Sequence, residues 1–240
     1  MKKVAVVTGS AKGLGRAIAL ALAREGFTVV VHYRKSKKEA EKVLREVGKL
    51  SAGSILTSGD LTDENQVKEI FDAIIQKFRQ VDLLVNNVGN FLYKPLHKTS
   101  NREFRDILES NVYTTLFCSK AVLPQMRRQK SGYIVNIGVV GADKMNLLAN
   151  STPYFYAKNG VYLLTKMMAH EEAKNGIHVN MISPASLETD IFKPGDFPMG
   201  RSATYDDVVK ALLFLISPDA YYINGANLEV AGGFIPGLTK

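Results

Sequence analysis

At 240 residues, with 46% hydrophobic and 22% charged side chains, the chain is long enough to bury a sizeable core as one α/β domain. The formal charge of +8 arises from basic residues scattered among acids. Only Arg34-Lys35-Ser36-Lys37-Lys38 and Arg127-Arg128-Gln129-Lys130 cluster, which argues for a solvated surface or a local anion site rather than a nucleic-acid footprint.

In chain order, Val4-Ala5-Val6-Val7 is an unbroken apolar run, the pattern of a strand buried on both faces. Thr8-Gly9-Ser10-Ala11-Lys12-Gly13-Leu14-Gly15 follows, and the stretch from Arg16 to Glu25 is rich in helix formers. Strand, glycine turn and helix in that order build an anion site. Amides at the helix start point outward, and a turn without β-carbons can lie against a pyrophosphate. The spacing is Gly-x-x-x-Gly-x-Gly, not GxGxxG. Further strands are predicted at 27–33, 54–57, 81–85, 133–137, 177–182 and 227–230, with helices at 37–49, 63–78, 100–128, 152–174 and 205–216. Strands joined by helical crossovers predict a single α/β domain over 1–240: a doubly wound parallel sheet with helices on both faces and ligands outside the carboxyl ends of its strands. No apolar run approaches a membrane span, and the N-terminus enters a strand with no signal peptide before it. The one cysteine, Cys118, allows no intrachain disulfide and fits a reducing cytoplasm, with a small core hydrophobe as its expected role.

Chemistry is therefore expected just after each strand. Tyr33-Arg34-Lys35-Ser36 follows the second, and no acid stands there to bind a ribose 2′-hydroxyl. Two cations and a hydroxyl suit a 2′-phosphate instead, which points to NADP(H). Asp60 and Leu61 follow the third strand, where Asp60 serves either an adenine amino group or the turn itself. Asn86-Asn87-Val88-Gly89 follows the fourth, with polar side chains and a glycine where the chain must pass a cofactor. Tyr154 and Lys158 stand four apart, on one face of a helix for which Thr152 is the expected N-cap and Pro153 the first residue. An ammonium within reach of a phenol favours the phenolate, so Lys158 is expected to lower the Tyr154 pKa and ready it for proton exchange. The same spacing recurs at Tyr33/Lys37 and Tyr162/Lys166, but only Tyr154 is expected at the carboxyl edge.

Taken together, Thr8-Gly9-x-x-x-Gly13-x-Gly15, Asp60, Asn86-Asn87-Val88-Gly89, Asn111, Tyr154-x-x-x-Lys158, Ser183-Pro184 with Thr189, and Val230-Ala231-Gly232-Gly233 resemble the short-chain dehydrogenase/reductase family over essentially the whole chain. The sequence is similar to NADPH-dependent 3-oxoacyl-[acyl-carrier-protein] reductases and related carbonyl reductases. The resemblance implies a Rossmann fold that binds NADP(H) through Gly9, Ser10, Lys12, Gly13, Leu14, Gly15, Tyr33 to Ser36, Asp60, Leu61, Asn87, Val88, Gly89, Lys158, Pro184 and Thr189. It further implies hydride transfer to a small-molecule carbonyl substrate, with Tyr154 as proton donor. Lys158 would hold the nicotinamide ribose and Asn111 a water of the proton relay. No metal, nucleic acid or membrane is called for. A homotetramer or homodimer is expected through the long helices, where Leu163, Leu164, Met167 and Met168 form either an interface or a core stripe.

Two departures stand out. No serine or threonine lies between Ser131 and Ser151, so Val139 or Gly138 occupies the place of the family's catalytic serine. Loss of such a donor costs on the order of 10²–10³ in rate. Asp143, Asn146, Asn150 and Ser151 are read first as simple loop residues, with one of them folding back as a substitute as the alternative; an acid in this role resembles the pteridine reductases. The substrate loop at about 190–200 is short, predicting an open pocket lined in part by Phe91, Leu92, Tyr93, Phe155, Ile191 and Phe192. Two readings follow: a carbonyl reductase without the usual serine, or an NADP(H)-binding sensor or scaffold with little catalysis.

Overall fold

The computed structural model describes residues 2–144, 148–187 and 194–238. The strands are β1 (Val4–Val7), β2 (Thr28–Tyr33), β3 (Ile55–Ser58), β4 (Leu83–Asn86), β5 (Gly132–Ile137), β6 (Ile177–Pro184) and β7 (Asn227–Val230). Among the described residues they form one parallel sheet in the order β3-β2-β1-β4-β5-β6-β7, with Ala5 opposite both Val29 and Leu83. The direction of strand order reverses between β1 and β4, and at such a switch point the loops leaving the carboxyl ends diverge and open a crevice.

The alternation of side chains along each strand explains the two layers. Ala5, Val7, Val29 and Val31 face α1 (Gly13–Arg24), α2 (Lys37–Leu50) and α7 (Tyr205–Leu215). Their neighbours Val4, Val6 and Val30 face α3 (Glu64–Phe78), α5 (Thr114–Gln129) and α6 (Thr152–Glu172). Because both faces are covered, the strands read as continuous apolar runs. Side chains set several helix starts: Asp63 accepts from the Asn65 and Gln66 amides, and Ser100 with Glu103 and Thr204 with Asp207 form capping boxes. No described helix is long and apolar enough to cross a membrane.

Three local expectations are corrected. The stretch 100–128 is not one helix: α4 (Asn101–Leu108) passes through a π-helical turn at Glu109–Tyr113 before α5 begins. The wider turn is supported by local hydroxyls, since Thr114 Oγ1 donates to the Ser110 carbonyl and Thr115 Oγ1 to that of Asn111, both at 2.8 Å. The N-cap of α6 is Ser151 rather than Thr152, with Pro153 in the first turn and no side-chain cap bond. The four apolar residues of α6 divide between roles: Met168 is in the core and Leu164 packs against it, whereas Leu163 and Met167 are exposed.

Candidate active site

The glycine turn is held from two sides. Thr8 Oγ1 accepts from the Asn87 and Val88 amides, and Asn87 Nδ2 donates to the carbonyls of Thr8 and Gly9. Gly9 adopts φ +62°, a backbone conformation that favours glycine, and an added Cβ would lie 2.9 Å from Val88. A Cβ on Gly15 would lie 2.5 Å from the Gly9 carbonyl, so helix and turn approach each other as closely as backbone allows. A residue that sequence reasoning missed completes the clamp. His32, on β2 and buried, accepts from the Gly9 amide through Nδ1 (3.1 Å), and its Nε2 lies 3.2 Å from the Gly59 carbonyl. Burial lowers this imidazole to about 4, against the Gly59 carbonyl and the Asp60 charge, which both raise it. His32 is therefore neutral, with its proton on the Nε2 that faces the carbonyl. An isolated histidine in an apolar strand carried no signal of this role.

A cleft of about 410 Å³ runs along this edge. Gly9 and Lys12 line it at one end, Tyr33, Arg34, Lys35 and Ser36 at the adjoining α2 start, and Asp60, Leu61, Asn87, Val88 and Gly89 beyond. Most of the expected cofactor residues thus share one surface, joined by Ser110 and Thr114. Asp60 already fills its turn role: Oδ1 accepts from the Thr62 amide and hydroxyl, and Oδ2 pairs with Arg34 at 3.1 Å. Burial would raise the Asp60 carboxyl, but those hydrogen bonds and the guanidinium outweigh it and lower the pKa. Leu61 presents only an edge, its side chain belonging to the core. Ser10, Gly13, Leu14 and Gly15 are not in the cleft wall. The Ser10 hydroxyl is directed inward, donating to the Val7 carbonyl and accepting from the His32 amide, so it is committed to holding the turn.

Near Gly89, a residue of the cleft wall, lie Asn111 and Lys158, and Lys158 in turn lies near Tyr154. Asn111 is fully buried in the π turn, and its Nδ2 donates to the carbonyls of Asn90 (2.9 Å) and Ile107 (3.0 Å). Its Oδ1 has no partner among the described residues. A Cβ on Gly89 would lie 2.2 Å from that oxygen and 3.4 Å from Lys158 Nζ, so the glycine keeps open a polar notch between the two. Lys158 is buried, donates to the Ile137 carbonyl at 2.7 Å, and sets its ammonium 5.5 Å from the centre of the Tyr154 ring. The expectation that Lys158 lowers the Tyr154 pKa is not met. Burial pushes the phenol up and lowers the ammonium to about 8, because a low-dielectric site disfavours both charged forms.

Tyr154 stands edge-on to Phe91, with ring centres 4.9 Å apart, and both line an apolar cavity of about 330 Å³. Pro184, Ile137, Gly138, Val139 and Phe155 line it too. A Cβ on Gly138 would lie 2.0 Å from Met181 Cε and 2.4 Å from Ser183 Oγ, so a side chain there would require both of these side chains to shift. Val139 lines the cavity wall. The proposed substitutes do not reach the cavity: Asp143, Asn150 and Ser151 are absent from its described lining, and Ser151 Oγ donates to the Ala149 carbonyl. Leu92 and Tyr93 are likewise not part of the wall, which is instead completed by Leu148 and by Phe234 and Pro236 from the C-terminal segment. Those two arrive from the opposite end of the chain, which no local pattern reveals. Asn146, Thr189, Ile191 and Phe192 lie outside the described residues.

A glycine-turn crevice at the switch point of a parallel sheet, with a tyrosine and a lysine on one face of the helix beside it, defines a dinucleotide-binding oxidoreductase site. The short chain dehydrogenase family profile matches residues 3–196, and the chain belongs to that family. It is 35% identical to the 3-oxoacyl-[acyl-carrier-protein] reductase FabG of Staphylococcus epidermidis over 244 aligned residues, covering 97% of this chain and 99% of that protein. It is 36% identical to the protein of the same name from Haemophilus influenzae, covering 96% of this chain and 97% of the relative.

Proposed function

We propose that the chain is an NADPH-dependent reductase acting on a carbonyl substrate, a ketone or 3-oxoacyl compound, with Tyr154 as proton donor and without the usual catalytic serine. The grouping of Tyr154, Lys158 and Asn111 carries this reading: the Lys158 ammonium lies near the Tyr154 ring, which lines the apolar cavity, and near Asn111 across Gly89, which lines the cleft. The residues fit a dinucleotide. The Gly9 turn suits its pyrophosphate, Arg34, Lys35 and Ser36 its 2′-phosphate, Lys158 its ribose hydroxyls, and the open Asn111 Oδ1 a water of the proton relay. Reduced nicotinamide, when bound, supplies the hydride. Tyr154 donates its proton to the carbonyl oxygen, and burial holds the phenol protonated until that oxygen becomes basic. Lys158, half-protonated only near pH 8, still carries its charge at neutral pH and stabilises the phenolate left behind.

The exposed Leu163 and Met167 on α6 suit an interface with a second copy of the chain, in a homodimer or homotetramer. The test is NADPH oxidation with a panel of activated ketones and 3-oxoacyl thioesters. Tyr154→Phe is expected to lower kcat by about 10²–10⁴ while NADPH still binds. NADPH binding with no Tyr154-dependent turnover across the panel would favour the sensor reading, and failure of both nicotinamide coenzymes to bind would defeat either.

A further inference from the structure

A carbonyl oxygen that accepts a proton from Tyr154 develops negative charge, and a second hydrogen-bond donor stabilises it on the way. The β5 end does not provide a side-chain donor, since the residues it contributes to the described cavity lining are Ile137, Gly138, Val139 and Val140. Among the described residues lining the cavity, Tyr154 and Ser186 are the two that carry hydroxyls. Ser186 lies two residues beyond the neighbouring strand β6 and lines the same cavity as Val139. The chain leaving β5 stays paired with β6, with the Gly138 amide donating to the Ile182 carbonyl (2.8 Å) and the Val140 amide to that of Pro184 (3.1 Å). Ser186 follows Pro184 by two residues on this same edge.

Its mounting is firm on both sides. The Ala185 amide donates to the Val230 carbonyl at 3.0 Å, Ala185 packs with Val140 and Phe234, and Leu187 forms a parallel bridge with Ala203. The Ser186 hydroxyl has no hydrogen-bond partner among the described residues and is half-buried at the cavity wall. The other serine of this edge is occupied elsewhere: Ser183 is fully buried and donates to Asn227 Oδ1 at 2.6 Å.

We propose that Ser186 is the second hydrogen-bond donor to the substrate carbonyl oxygen, replacing from the β6 side the hydroxyl lost from the β5 loop. This rests on the carbonyl-reductase reading of the same cavity. The experiment is a set of steady-state measurements on the full-length protein, with the best substrate of the panel, for wild type, Ser186→Ala, Ser186→Thr, Val139→Ser and the Ser186→Ala/Val139→Ser double variant. Ser186→Ala is expected to lower kcat by about 10²–10³-fold, the range for loss of one such donor, with KM changed far less and the Kd for NADPH unchanged. Ser186→Thr retains most of the activity. Val139→Ser restores turnover in the Ser186→Ala background and adds little to wild type. A Ser186→Ala protein that keeps wild-type kcat, or a Val139→Ser gain of equal size in both backgrounds, overturns the assignment and leaves the reductase reading intact. A wild type that binds NADPH but reduces nothing overturns that reading, and this assignment with it.

Discussion

His32 ties the stability of the Gly9 turn to pH. Its imidazole is 3% exposed, accepts the Gly9 amide, and titrates at about 4 instead of 6.5 because burial penalises the cation. An unfolded chain takes up this proton near 6.5, whereas the folded chain does not until about 4. The unfolded state thus binds more protons across that window, so folding stability falls as the pH drops through it and this contribution levels off below it. At about 1.4 kcal/mol per tenfold change in proton affinity, the full window is worth on the order of 3 kcal/mol. His32→Asn keeps an acceptor near the Gly9 amide and removes the titration. Lost contact with Gly59 costs the variant about 1 kcal/mol at neutral pH, but its stability should fall less steeply on acidification. Urea unfolding of both proteins between pH 7 and about 4.5 gives the comparison, in which carboxylates common to both cancel. Parallel loss of stability in the two proteins would refute the assignment of a neutral, proton-resisting His32.

Two further outcomes test the coenzyme cleft. Arg34→Ala combined with Lys35→Ala should weaken NADPH binding by about 10–100-fold and leave NADH within about threefold, since only the former offers a phosphate to these cations; calorimetric titration with each reads the difference, and equal losses would show that these side chains do not face the 2′ position. The Arg34–Asp60 pair broken by this change is exposed enough that global stability should hold. Gly89→Ala places a methyl 2.2 Å from Asn111 Oδ1 and should lower kcat/KM at least about tenfold by closing the notch beside Lys158; wild-type kinetics in a folded variant would mean that nothing has to enter there.

What was legible in the sequence is what local pattern encodes. Continuous β-branched runs marked strands covered on both faces, and β7 lies at Asn227–Val230, where a short last strand was expected. The glycine turn and the Tyr154/Lys158 spacing located the cleft and the cavity because a parallel sheet places every strand's carboxyl end on one edge. Features that depend on partners far along the chain were not legible. Phe234 enters the cavity only after the Gly232–Gly233 turn, and His32 acts on Gly9, twenty-three positions before it. The π turn looked like ordinary helix because its support comes from Thr114 and Thr115, hydroxyls with many other uses. Helical spacing likewise brought the α6 residues together but did not show that Met168 faces inward and Met167 outward.

The direction of the Tyr154 shift bears on which way the reaction is helped. A four-residue spacing shows that ammonium and phenol are neighbours but says nothing of the dielectric around them, and here burial dominates both. For oxidation of an alcohol the phenol would have to be ionised beforehand, and an upward shift opposes that. For reduction it must be protonated beforehand, so the same shift keeps the donor loaded over the whole neutral and mildly alkaline range. On the proposed reductase reading, the group that would limit reduction at high pH is Lys158, which loses its proton above about 8 and with it the charge that would stabilise the phenolate left on Tyr154. Reductive kcat should accordingly be flat through neutrality and decline above about pH 8, and Lys158→Arg, charged throughout, should move that decline upward if its bulk is accommodated. A reductive rate that rises through pH 8 in wild type would require a phenolate that acts as a base, contrary to the apolar walls that Phe91 and Phe155 place around Tyr154.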